Sequence, residues 1–362
     1  MNNVLLWIGG ILVAILCAMF AVPHFVDWTR YRGVFEEEAS RILGREVRVS
    51  GAVNLRLLPT PFVRFEKLRL ADAAGQTGEP FFRADDFTLW LAPAPLLRGA
   101  IEAREVELRR PVLKLRTNAE GGGNWQTLSI ARGQLPFIPS DVALQSVLIT
   151  DGVISVDGVD GRELARVGAI SGELAVTALE GPYRFKGTYD WGGVQHEFKT
   201  STTVFDADGG LKFKAQLTVP AGANVYTLDG RISDLSGRVK LDGQLTGQLG
   251  FVPGELQLDP AVAPNGSSAG ANAARIPVEL RAAVAADANG ADLSELSLSF
   301  EQDGKPQLIA GSAQVGWRHG LEAKSDWTAR WLDLDQMLGR TATSRPLETV
   351  RHTPYSNWRL LC

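Results

Sequence analysis

The chain has 362 residues, 45% of them hydrophobic, and its 41 acidic and 37 basic side chains leave a net charge of −4. That length supports one large core or two ordinary ones, and the charge balance lacks the concentrated basic face of a nucleic-acid binder. Cys17 and Cys362 leave the body between them without thiols, which excludes a disulfide framework or a cysteine-based metal site there.

Residues 4–22, VLLWIGGILVAILCAMFAV, carry no charge. At about 1.5 Å per residue, nineteen helical residues span roughly 28 Å, the thickness of a bilayer's hydrocarbon core. We expect a transmembrane anchor over 1–26, with Val4, Leu5, Leu6, Trp7, Ile8, Ile11, Leu12, Val13, Ile15, Leu16, Phe20 and Val22 in contact with lipid or packed along the span. A cleaved signal is the competing reading, but Met1-Asn2-Asn3 holds no Lys or Arg and no A-x-A site precedes Pro23. Arg30, Arg32, Arg41 and Arg45 follow the span, so the charge rule alone would leave the body in the cytoplasm. A large following domain is translocated largely regardless of such charges.

Pro23 ends the span, and Asp27 can cap a second helix over 27–44. Trp28, Tyr31, Phe35, Ala39 and Ile42 make its apolar stripe, and Glu36 to Glu38 lie mostly on the other face. A helix lying on lipid would carry Lys and Arg there, so a core-packing role at one end of the sheet is preferred.

From Arg45 the period becomes two. Val53, Leu55 and Leu57, then Val63 and Phe65, Leu68 and Leu70, Phe87, Leu89 and Leu91, and Val106 and Leu108 alternate with polar residues. A helix-like interruption falls around Pro93 to Gly99. SVLITDGVISVDG (146–158) reads as a hairpin turning at Asp151-Gly152, and Asp229-Gly230, Asp242-Gly243 and Asp303-Gly304 punctuate later runs. LKFKAQLTV (211–219) and LSLSF (296–300) alternate cleanly. This pattern predicts a mainly β protein: a β-rich domain over 45–262, a flexible loop over 263–275, continuing strands over 276–340, and a disordered or aberrant tail over 341–362. These apolar residues, Val53 through Leu108, are either ordinary core or the lining of an open lipid groove. Periodicity fits both.

No catalytic or cofactor-binding motif appears. His24, His196, His319 and His352 have no ligand spacing, and H-E-x-x-H, G-x-S-x-G and P-loop patterns are absent. Asp85-Asp86 would point to opposite faces of a strand. Neither an enzyme, a metal nor a cofactor is expected.

Five segments in order carry a resemblance: Gly44-Arg45-Glu46-Val47-Arg48-Val49-Ser50-Gly51, Leu58-Pro59-Thr60-Pro61, Leu68-Arg69-Leu70-Ala71-Asp72, Leu96-Leu97-Arg98-Gly99 with Val106 to Pro111, and Gly123-Asn124-Trp125. Together they resemble the AsmA-like family of Gram-negative envelope proteins. The resemblance implies a single-pass inner-membrane anchor and a periplasmic body of long, twisted, antiparallel, gutter-shaped sheet. It implies phospholipid as a partner, carried between inner and outer membrane, or else a non-catalytic role in outer-membrane protein assembly and envelope homeostasis with other envelope proteins. Family members usually continue further, so a truncated reading frame is also expected.

Overall fold

The computed structural model describes residues 26–72, 79–96, 103–118, 123–125, 145–176, 181–206, 208–219, 224–234, 239–251, 275–287, 289–302, 304–317, 322–329 and 356–361, together with Trp7. Strands dominate. The chain forms two compact units, residues 1–193 with 199–207, and 194–198 with 208–362.

The first unit begins with a short 3-10 helix, Trp28–Tyr31, started by the Asp27 carboxylate, which accepts from the Thr29 N–H at 3.1 Å. Helix α1, Arg32–Leu43, follows and ends at Gly44, whose φ of 64° is the left-handed cap that glycine adopts without penalty. Nine strands come next: β1 Val47–Val49, β2 Val53–Arg56, β3 Phe62–Leu70, β4 Phe82–Leu91, β5 Ala103–Arg109, β6 Val112–Arg116, β7 Ser146–Asp157, β8 Glu163–Val176 and β9 Tyr183–Trp191. β10, Val194–Thr202, is divided between the units. The helix-like interruption is a single turn, Pro93–Leu96.

β1 and β2 both pair with β3, and β3 pairs with β4, all antiparallel. β5 and β6 are two halves of one kinked path beside β4, and both lie parallel to β7. This corrects the purely antiparallel expectation. Parallel neighbours need a long crossover, which residues 117–145 provide.

The predicted hairpin at 146–158 is also corrected, because 146–157 is the single strand β7. Asp151-Gly152 is a bulge, with Asp151 at φ 55°, set beside the Arg110-Pro111 kink. There the Arg110 N–H donates to Thr150 O and the Val153 N–H to Pro111 O, each at 2.8 Å. Lys67, Arg110, Asp151 and Ala169 all have positive φ, between 46° and 55°, and follow one another across β3, the β5–β6 junction, β7 and β8. Such residues are uncommon singly, and a line of them bends a sheet.

The second unit runs β11 Leu211–Val219, β12 Asn224–Ser233, β13 Lys240–Phe251, β14 Ile276–Ala286, β15 Gly290–Gln302, β16 Lys305–Gly316, β17 Glu322–Ala329 and β18 Ser356–Leu361. Each strand pairs antiparallel with the next. Asp229-Gly230 and Asp242-Gly243 are not turns: they lie inside β12 and β13, where Gly230 faces Gly243. Residues 356–361, expected to be disordered, form β18 against β17. The 263–275 loop and the rest of the tail lie outside the described residues.

Candidate functional site

Most of the predicted groove residues of the first unit pack with side chains of the helical segment. Val53, Val63 and Leu91 are buried with Val49, and Leu55, Phe65, Leu68 and Leu89 pack against them together with Trp28 and Phe35 of the helical segment. Leu70 belongs to a second cluster with Val47 and Phe81, covered by Ala39 and Leu43. Phe87 meets Phe65 at 6.2 Å between ring centres, and Phe65 meets Phe35 edge-on at 5.5 Å. Val106 is buried, while Leu57 and Leu108 are half-buried. Val49, Val53, Val63 and Leu91, with the side chains packed on them, thus form a core under α1. Tyr31, assigned to the packed stripe, is instead 52% exposed.

The helix also closes the sheet's edge. The outward N–H groups of Val47, Val49 and Val53 donate to Ser40 Oγ at 2.8 Å, Glu36 Oε1 at 2.7 Å and Thr29 Oγ1 at 3.4 Å. An unpaired edge is a template for adding strands, and α1 occupies that template with its own side chains.

The motif residues converge on one buried polar cluster. The Asn124 amide donates to Asp72 Oδ1 and to Lys114 O, each at 3.1 Å, and its oxygen accepts from the Arg116 N–H at 3.0 Å. Arg45 donates to Asn124 O and lies over the Phe81 ring at 4.6 Å. Asp72 stands 3.2 Å from Arg116 and 3.9 Å from Arg45, with the Arg45 and Asp72 side chains only 3% and 4% exposed. Burial pushes the Arg45 guanidinium below its ordinary value, and Asp72 opposes that shift. The cluster joins the end of α1, the end of β3 and the crossover. It supplies scaffolding; among the described residues no group of three His, Cys, Asp or Glu side chains could hold a metal. Asp85 and Asp86 are each paired, with Arg110 at 2.6 Å and Arg109 at 3.3 Å.

The second unit presents a different surface. One row in register runs Leu217, Tyr226, Gly247, Leu280, Leu298, Ile309, Ala329 across seven strands, β11 to β17. A second runs Leu211, Ile232, Leu241, Ala286, Ala291, Val315, Ala323. The opposite face carries Lys212, Arg231, Asp242, Ala285, Asp292, Gln314 and Lys324 in one such row. Most apolar-face side chains are half-buried, and Leu211, Phe213, Ala282 and Leu296 are buried. No helix occurs among this unit's described residues. Where β12 meets β13 a Cβ on Gly230 would come within 2.5 Å of Asp242 O, and one on Gly243 within 2.8 Å of Asp229 O. The Phe213 ring lies beside this bare patch, 3.2 Å from the Gly230 position. Alternation marked β11 and β15, but the continuity of the face depends on register, which no single segment encodes.

These features define a strand-dominated protein with one helix-sealed edge and a continuous apolar sheet face. Residues 1–138 match the model of the AsmA family. No curated protein and no solved structure matches. Among the described residues no helix is long and apolar enough to cross a membrane. The expected span at 4–22 lies outside them apart from Trp7, which is helical and exposed.

Proposed function

We propose that this is a membrane-anchored envelope protein that handles phospholipid along the apolar face of β11–β17, with its body in the periplasm and its anchor at 4–22 in the inner membrane. The observation that carries the reading is the seven-strand apolar face of a unit whose described residues include no helix to cover it. Exposing a methylene to water costs about 0.8 kcal/mol, so such a face lowers the barrier to moving acyl chains through an aqueous gap. The match of residues 1–138 to the AsmA family model supports the envelope setting. No turnover chemistry is required, and direction would come from a gradient or another machine.

Photocrosslinkers at Leu217, Leu245, Leu298 and Ile309, with Lys214 and Gln244 on the opposite face as controls, test the reading. Lipid adducts recovered by mass spectrometry from the first set alone are expected. Equal labelling of both faces, or none, would sink it. The core under α1 favours a second reading, a non-catalytic assembly factor for outer-membrane proteins, which predicts protein adducts at these positions and no lipid.

A further inference from the structure

The two ends of the first unit's strands differ in charge. At one end lie the 3-10 helix, held by the Val53–Thr29 hydrogen bond, and the connections 57–61 and 91–96, the second made of the end of β4 and the Pro93–Leu96 turn. Those connections read LLPTP and LAPAPL and carry no charge. The large apolar side chains exposed here are Tyr31 at 52%, Val34 at 65% and Val204 at 51%. The hydrogen bond from the Tyr183 N–H to Thr202 Oγ1, 3.1 Å, places the Val204 segment at the same strand ends.

The basic side chains around this end, among the described residues, include Arg30, Arg32, Arg56 and Arg104, all exposed. The acids here, among the described residues, are Asp27, which Arg30 faces at 3.6 Å, Glu105, half-buried just inside β5, and Asp206, exposed two residues beyond Val204. Further along α1 the outward face turns acidic at Glu37 and Glu38. At the opposite end Val159 and Trp191 are also exposed, but among Asp160, Arg162, Glu163 and Asp190.

Uncharged connections, an aromatic ring and arginines that outnumber the nearby acids form the composition of a surface at lipid headgroup depth. We infer that this end of the first unit docks on the interface of a bilayer containing anionic lipid, touching it through the first turns of the helical segment and the 57–61 and 91–96 connections. The uncharged run 4–22 ends five residues before Asp27, so a membrane holding it brings its interface to this surface. The inference rests on the anchor reading above and is independent of where lipid travels.

An environment-sensitive dye placed by Val34→Cys or Thr60→Cys, in a Cys17→Ser, Cys362→Ser background of the full chain, tests the docking. Asp160→Cys is the control. In vesicles of phosphatidylcholine with phosphatidylglycerol, the dye at 34 and 60 is expected to emit at shorter wavelength and to be quenched by brominated lipid, and the dye at 160 is not. Arg30→Gln and Arg56→Gln should each lower the docked-to-undocked ratio about fivefold, as a surface arginine near an anionic leaflet is worth, and leave circular dichroism unchanged. Water-like emission at 34 and 60, or a signal indifferent to phosphatidylglycerol, would overturn the proposal, as would a chain that does not float with vesicles. Lipid adducts on the second unit are read separately, so the transport proposal can fail while docking stands.

Discussion

Around Asn124, removing one charge leaves the others buried beside a hole. Asp72→Ala keeps Arg45 at 3% exposure without its counter-charge, and breaking a buried pair in this way costs about 3–5 kcal/mol. A marked fall in the urea midpoint of the first unit is expected, with a smaller one for the double variant Arg45→Met, Asp72→Leu. Nearby, Lys114 donates to Glu79 and holds that carboxyl below the usual range. A depressed folded value means that this contribution is present above the ordinary glutamate range and is lost as pH falls through the depressed value. Lys114→Met should therefore flatten the acid limb of a stability-against-pH curve below the ordinary glutamate value, and, because the same contacts hold the Lys114 ammonium above its ordinary value, also its alkaline limb above the ordinary lysine value. The motif residues Arg45, Asp72 and Asn124 were legible in the sequence as markers of kinship. Their convergence was not, because 79 positions separate Arg45 from Asn124 and only the folded crossover brings them together.

At the scale of elements, alternation located β11 and the core of β15, since period-two burial is a local property. Backbone shape was harder to read. An Asp-Gly pair favours a tight turn through its tolerance of positive φ, yet the same freedom serves a bulge at Asp151, and the missing Cβ serves close strand approach at Gly230 and Gly243. Choosing between these uses needs the partner strand. Gly243→Val, pressed onto Asp229 O, is expected to cost about 1–3 kcal/mol, the usual range for overpacking, and Gly304→Ala, at a turn with open space around it but φ 72°, should cost less. Urea titrations of the two variants compare them directly. The sealed edge offers a second test. Glu36→Leu and Ser40→Ala strip the acceptors from the Val49 and Val47 N–H groups. Each loss is worth about 1 kcal/mol, so faster amide exchange at those two positions is expected, with concentration-dependent association as the bared edge finds partners.

On the scale of the molecule, the anchor and the apolar face make separable demands. A charge at the centre of the 4–22 run, Val13→Arg, costs about 2.5–3.5 kcal/mol on insertion scales. It should shift the protein from carbonate-resistant to carbonate-extractable fractions without altering the sheets, which draw no core residue from that run among the described clusters. A soluble mature form beginning near Pro23 would instead show that the run is a cleaved signal. Charges on the face act the other way. Leu245 and Leu280 stand half-buried on neighbouring strands, β13 and β14, so Leu245→Arg with Leu280→Arg can keep the guanidinium heads in water while their stems lie on the sheet. Membrane fractionation should then be unchanged, and lipid co-purifying with the protein should fall sharply, because two cations interrupt every path an acyl chain could take across those strands at mid-face. If the doubly charged face retains its lipid and Val13→Arg loses it, the lipid belongs to the anchor and the face is not a track.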